Sequence, residues 1–393
     1  MANKKDKTES KDETFFNSFN RGDDRVSFRF AHETLGQKLS VISTGSYGLD
    51  DALSSLGYPN GRLIELYGRS ACGKTLMALQ ALKQAQKLDR KSKQLYIDSE
   101  QTFSADWCEK LGIDTSRVVV IDGEDASDAK LCFELLLGVP REDRAHFYDG
   151  KIKEGFLDKV AKGELNYNLV ILDSLGSLIV PADRVAEIGK VTMARTAMFL
   201  TTTMKKISLE VAKANIPFII INHTKDNLDL YGSDHKSTGG NSFKHALSCI
   251  IYFEPIGGKA GQILDANDNR IGQTIRATVE KSKFGPFPRK CEFKVIFTQG
   301  IVSQAEELAE LALNYEVVQK PSAQMIEYKE NKWRGKEAFS KAISESEPLQ
   351  KELLKLIEHA RDTAWEKQRK LQEAKKAEVL EIDEEVVEEA VEE

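Results

Sequence analysis

The chain lacks the marks of a secreted or membrane protein. It has no C-x-x-C pair: its five cysteines stand apart at 72, 108, 132, 249 and 291. That spacing argues against a cysteine metal site and a disulfide framework, and for a reducing cytoplasm. No uninterrupted apolar run approaches the roughly 20 residues of a membrane span. The start, MANKKDKTESKDET, is charged and lacks the apolar stretch of a signal peptide. Internal repeats are missing too. The last residues, EVLEIDEEVVEEAVEE from Glu378, lack any base and carry nine acids. Without those nine negative charges the chain, formally −6 in all, stands at +3. The body is therefore mildly basic and the tail a separate acidic block.

What is present fits a soluble globular protein. At 393 residues, 41% apolar and 30% charged, the chain can build one large core with appendages, or two domains. One stretch organises it. Leu63, Ile64, Leu66 and Tyr67 form an apolar run suited to a buried strand. Then Gly68, Arg69, Ser70, Ala71, Cys72, Gly73, Lys74 and Thr75 fit G-x-x-x-x-G-K-[ST]. A helix-patterned stretch, 76–88, follows without Pro or Gly. A strand before and a helix after are the context of a phosphate loop. The two glycines let successive N–H groups face phosphate oxygens, and the helix start favours the same anion. Lys74 can reach the β- and γ-phosphates of ATP or GTP, and Thr75 can bind Mg²⁺. Cys72, at the front of that helix, is expected to have a lowered thiol pKa.

Around this stretch, continuously apolar strands are expected at 62–67, 94–98, 118–122, 168–173, 217–222 and 249–254. Helices are expected at 74–88, 104–112, 126–138, 190–214 and 241–247. Alternation of this kind implies an α/β fold with a doubly wound, mainly parallel sheet. Runs at 273–280 and 291–298 read as antiparallel edge strands. The charged stretch 140–166 reads as a surface insertion, and 303–377 as a small, mostly helical accessory domain. The arm, 1–35, is polar over its first thirteen residues and then carries Phe15, Phe16 and Phe19, which can dock on their own core or on a neighbouring subunit.

Further chemistry sits at strand ends. Asp173 closes LVILDSL, where an acid holds Mg²⁺ through water. Glu100 follows YIDS and can orient or deprotonate the attacking water, or simply cap a helix. Trp107 can stack on a base or pack in the core. A polar, Gly-rich loop follows Asn222-His223 and carries Lys225, Tyr231, His235 and Lys236 before Gly239-Gly240-Asn241. That mix suits single-stranded nucleic acid.

The ordered set ISTGSYGLDDAL, GRLIELYGRSACGKT, YIDSEQT, WCEKLGI, LVILDSL, AEIGKVTM, INHT and STGGNSFK resembles the RecA family of recombination ATPases over roughly residues 36–345. It looks especially close to phage recombinases of the UvsX kind, which also carry INHT. The resemblance implies a RecA-like core over 36–302, Glu100 as catalytic glutamate, Trp107 stacking on adenine and Asp173 as Walker B acid. His223 stands where the bacterial protein has a Gln that senses the γ-phosphate. Met193 and Tyr231 fall where the family inserts apolar side chains between bases, and Lys205 where it has a basic DNA contact. Met198 replaces another family Arg. Lys281 and Lys283 match lysines that reach ATP across a subunit interface. FFNSF becomes the candidate polymerisation segment. The resemblance implies a DNA-dependent ATPase that uses ATP and Mg²⁺, forms helical filaments on single-stranded DNA and exchanges strands with duplex. Its partners would be both DNA forms, further copies of the chain, a mediator, a single-strand-binding protein and a helicase, in the host bacterial cytoplasm if a phage encodes it. The rivals are a ring helicase with the same core and a mediator without turnover; intact Lys74, Glu100 and Asp173 argue against the second.

Overall fold

The computed structural model describes residues 39–138, 154–184, 193–226, 235–237, 240–285 and 289–363; for 182, 184, 193–197, 225, 226, 235–237 and 240–242 it describes backbone alone. The expected α/β architecture is present. Eight longer strands build the main sheet: β1 Leu63–Gly68, β2 Lys93–Asp98, β3 Val118–Ile121, β4 Tyr167–Asp173, β5 Phe218–Asp226, β6 Cys249–Pro255, β7 Arg270–Ser282 and β8 Arg289–Ile296. Among the described residues the sheet order is β8-β7-β6-β1-β5-β4-β2-β3. From β6 to β3 every pair is parallel. β7 and β8 add antiparallel to one side.

Among the helices of the described residues are α1 Tyr47–Ala52, α2 Lys74–Leu88, α3 Ala105–Lys110, α4 Ala129–Leu137, α5 Phe156–Ala161, α6 Met193–Ala214, α7 Gly240–Ala246, α8 Gln304–Asn314 and α9 Gly335–Glu345. Strand alternation sends Ile64 and Leu66 to one face and Leu63 and Tyr67 to the other. The first face packs with α1 and α2. The second packs with α4, α5, α6 and α7. Both faces are thus covered, which is why the strands read as continuous apolar runs.

Three expectations need correction. The stretch 140–166 is not all surface: α5 buries Leu157 and Val160 in the second core cluster, while 139–153 lie outside the described residues. The helix expected from 126 breaks at Asp128, whose carboxylate accepts from the N–H groups of Lys130 and Leu131 and caps α4. The mostly helical reading of 303–377 missed a three-stranded antiparallel sheet between α8 and α9: β9 Gln319–Ser322, β10 Met325–Tyr328 and β11 Asn331–Arg334. Each strand has four residues and β9 is wholly exposed, so no alternating pattern marks them.

α8, α9, β10 and a helical run over 347–363 enclose their own apolar cluster, with Leu308, Phe339, Leu353 and Ile357 at its centre. This unit is tied to α1. Buried Glu307 accepts from Ser46 Oγ at 2.5 Å and Gly48 N at 3.0 Å. Asp51 accepts from Tyr315 OH at 2.6 Å and pairs with Arg289 at 2.5 Å and Arg361 at 3.3 Å.

Candidate nucleotide site

Strand register aligns the site. Gly68 of β1 lies beside His223 of β5, and Asp98 of β2 beside Asp173 of β4, all at the carboxyl edge of the parallel strands. Open α/β sheets bind ligands at that edge. The Gly68–Thr75 loop leaves β1 there and enters α2. Both its glycines are required. A Cβ on Gly68 would lie 2.3 Å from the Phe253 carbonyl oxygen; one on Gly73, where φ is +98°, would lie 2.5 Å from Ile275 Cδ1. Lys74 is buried and donates to the carbonyls of Gly68 (3.1 Å) and Arg69 (2.8 Å). Gln273 of β7 donates to the Ala71 carbonyl at 3.1 Å and straps the loop from outside.

Thr75 Oγ1 donates to Asp173 Oδ2 at 3.0 Å, and Tyr96 OH donates to the same oxygen at 2.7 Å. Burial pushes the Asp173 carboxyl up, the bonds from Tyr96 and Thr75 oppose this, and the Glu100 charge adds to it. Asp173 Oδ1 is buried with no hydrogen-bond partner among the described residues. A threonine hydroxyl beside an orphaned carboxylate oxygen fits a hard divalent cation and its waters.

Glu100 faces the same cavity. Its Oε1 accepts from Ser174 Oγ at 2.5 Å and Ser177 Oγ at 3.3 Å and meets His223 Nε2 at 2.7 Å. Burial pushes its carboxyl up, but the bonds from Ser174 and His223, the His223 charge and the Ser177 bond outweigh that and hold it below the usual glutamate range. A glutamate kept ionised and aimed by three donors can act as a base. The cavity, about 280 Å³, is lined at its other side by Trp107, Phe297 and Arg270. Trp107 Nε1 donates to the Phe297 carbonyl at 2.6 Å, and the Arg270 guanidinium lies 5.9 Å over the Phe297 ring. Flat groups there suit a nucleobase.

The structure thus brings together Gly68 to Thr75, Glu100, Trp107, Asp173 and His223. It separates Lys281 and Lys283 from them. Lys281 pairs with Ile250, and Ser282 with Cys249, near the start of β6, so both lysines sit at the opposite, amino edge of the sheet. Lys281 Nζ donates to the Lys244 carbonyl at 2.5 Å. They cannot serve this chain's own cavity. The expectation for Cys72 is corrected: the thiol is fully buried, and burial pushes its pKa up despite Lys74 Nζ at 3.9 Å.

Of the expected DNA contacts, Lys205 is exposed on α6. Met193, Lys225, Lys236, Gly240 and Asn241 are described in backbone only; Tyr231 and Gly239 lie outside the described residues. Sequence reasoning missed Tyr96, Ser174, Ser177, Arg270, Gln273 and Phe297. Tyr96 and Ser174 lie inside YIDSEQT and LVILDSL, and Ser177 just after the second; the others come from β7 and the turn after β8 and carry no motif.

The RecA N-terminal domain model matches residues 22–138 and 155–302. The chain is similar to the protein RecA of Porphyromonas gingivalis, 29% identical over 326 residues that span 82% of this chain and 86% of that protein. It is 27% identical to the protein RecA of Chlorobaculum tepidum over 86% of this chain and 87% of that one. The protein RecA of Acinetobacter baylyi is 28% identical over 82% and 83%.

Proposed function

The chain belongs to the RecA family, and from that premise we propose how its site works. The family is one of recombination and repair proteins that form filaments and exchange DNA strands, and so does this chain. The cavity would hold ATP with Mg²⁺: the Gly68–Thr75 loop would take the phosphates, Thr75 and Asp173 the metal, and Trp107 the base. Glu100 activates water for hydrolysis that is coupled to strand exchange. Lys281 and Lys283 of a neighbouring subunit complete the site, which is why they lie away from this chain's own loop. The observation that supports the coupling is the contact of His223 with Glu100 at 2.7 Å, since His223 lies on β5 just before residues 227–234. DNA bound at the 224–240 stretch would move His223 and so Glu100, one two-state element biased by both ligands.

The reading includes an arm over 1–35, a core over 36–302, an accessory unit over 303–377 and a tail over 378–393. It also takes Met193, Lys205, the 224–240 stretch and Asn241 as DNA contacts, INHT as a mark of the phage type, and a mediator, a single-strand-binding protein and a helicase as partners. The test is electron microscopy with ATP and single-stranded DNA, beside ATPase assays with and without DNA. Helical filaments and DNA-stimulated turnover are expected, with the stimulation lost in His223→Ala. Closed rings, or turnover indifferent to DNA, overturn the reading.

A further inference from the structure

Tyr96 lies on β2, fully buried, in a place where a phenylalanine would pack equally well. Its ring sits against Phe103, with centroids 4.9 Å apart. Its hydroxyl is the extra element. Buried tyrosine hydroxyls need an acceptor, and this one takes Asp173 Oδ2 at 2.7 Å. Thr75 Oγ1 donates to that same oxygen at 3.0 Å. Two donors from different elements, β2 and α2, converge on one carboxylate oxygen and stop the group from rotating. The other oxygen, Oδ1, is buried with no hydrogen-bond partner among the described residues, on a residue that lines the cavity.

We propose that Tyr96 is a positioning residue for the metal: its hydroxyl fixes the rotation of Asp173 so that Oδ1 is presented to the waters of a divalent cation bound with the nucleotide. This rests on the nucleotide reading of the site. It assigns part of the metal requirement to the residue that opens YIDSEQT, to which the motif itself gives no role. Groups that orient a metal-holding side chain typically change metal affinity by one to two orders of magnitude when lost. Tyr96 acts at the low end, because Asp173 works through water.

The test uses the full chain and Tyr96→Phe, which keeps the ring and removes one hydroxyl. Binding of a fluorescent ATP analogue is titrated with Mg²⁺ and repeated in chelator. The variant is expected to need roughly tenfold more Mg²⁺ for half-maximal nucleotide binding, with affinity in chelator unchanged. An equal Mg²⁺ requirement in both proteins overturns the proposal. So does an equal loss of affinity with and without Mg²⁺, which would make the hydroxyl a packing feature. Failure of the underlying reading is seen in the wild type alone, as nucleotide binding that is absent or indifferent to Mg²⁺.

Discussion

At the residue scale, the site separates holding from reacting. Lys74 is held by two carbonyls of its own loop, and Glu100 by Ser174, Ser177 and His223. Of the two, Glu100 is the proton acceptor, so Glu100→Gln should leave ATP binding intact. Turnover should fall by roughly 10²- to 10⁴-fold, the range for a lost general base. Equilibrium nucleotide binding and steady-state hydrolysis check this, and normal turnover would remove Glu100 from the role. Cys72 is the opposite case. A helix start and a lysine favour its thiolate, but full burial wins. Maleimide at neutral pH should leave Cys72 of the folded protein unmodified, as read by mass spectrometry of the labelled chain. Rapid labelling at Cys72 would show that the loop opens far more than its packing implies.

At the scale of elements, α1 carries the least expected chemistry. The Asp50 carboxyl accepts from Ser43 Oγ at 2.5 Å and Thr44 N at 2.7 Å. Burial pushes its pKa up to about 7; those bonds oppose the rise, and the Glu307 charge adds a little to it. The folded state therefore holds this proton more tightly than the unfolded chain. The resulting stability is complete below about pH 4 and is lost as pH rises through about 7, roughly 4 kcal/mol at most. Relative to Asp50→Asn, the wild type should lose stability between pH 5 and pH 8, measured as urea midpoints; a flat difference would mean that Asp50 is ionised throughout. ISTGSYGLDDAL holds both donors, Ser43 and Thr44, but nothing in it foretells the burial that outweighs them. The phosphate loop, by contrast, was fully readable, since strand, glycines and helix are local. So were the parallel strands, whose two covered faces make them apolar throughout. Ser174 stood next to Asp173 and Tyr96 four residues before Glu100, but both needed register to place them. Arg270, Gln273 and Phe297 reach the cavity only because β7 and β8 fold back antiparallel, and β9–β11 were too short to show a period.

At the scale of the molecule, two features point outward. The first is the distance between the phosphate loop and Lys281 with Lys283, which lie at opposite edges of one sheet. If a neighbour's lysines complete each site, Lys74→Ala and Lys281→Ala/Lys283→Ala proteins, both inactive alone, should complement when mixed. In an equal random mixture about a quarter of head-to-tail junctions would pair a sound loop with sound lysines. ATPase activity of the mixture near that fraction supports a shared site; none refutes it. The second feature is the tail. Residues 378–393 lie outside the described residues, but their charge pattern is plain: nine acids and no base against a body of +3. Nine like charges repel one another and are drawn to a basic body. The tail hangs from the helical run 347–363, which Arg361 anchors to Asp51 at 3.3 Å. A tethered polyanion then competes with DNA phosphates for the same basic surface at high effective concentration. Deleting 378–393 should tighten duplex binding more than binding to single strands. Salt and Mg²⁺ should shrink the difference by screening the tail. Duplex affinities of the full-length and truncated proteins across a salt series decide it: coincident curves at low salt would show a tail that only solvates.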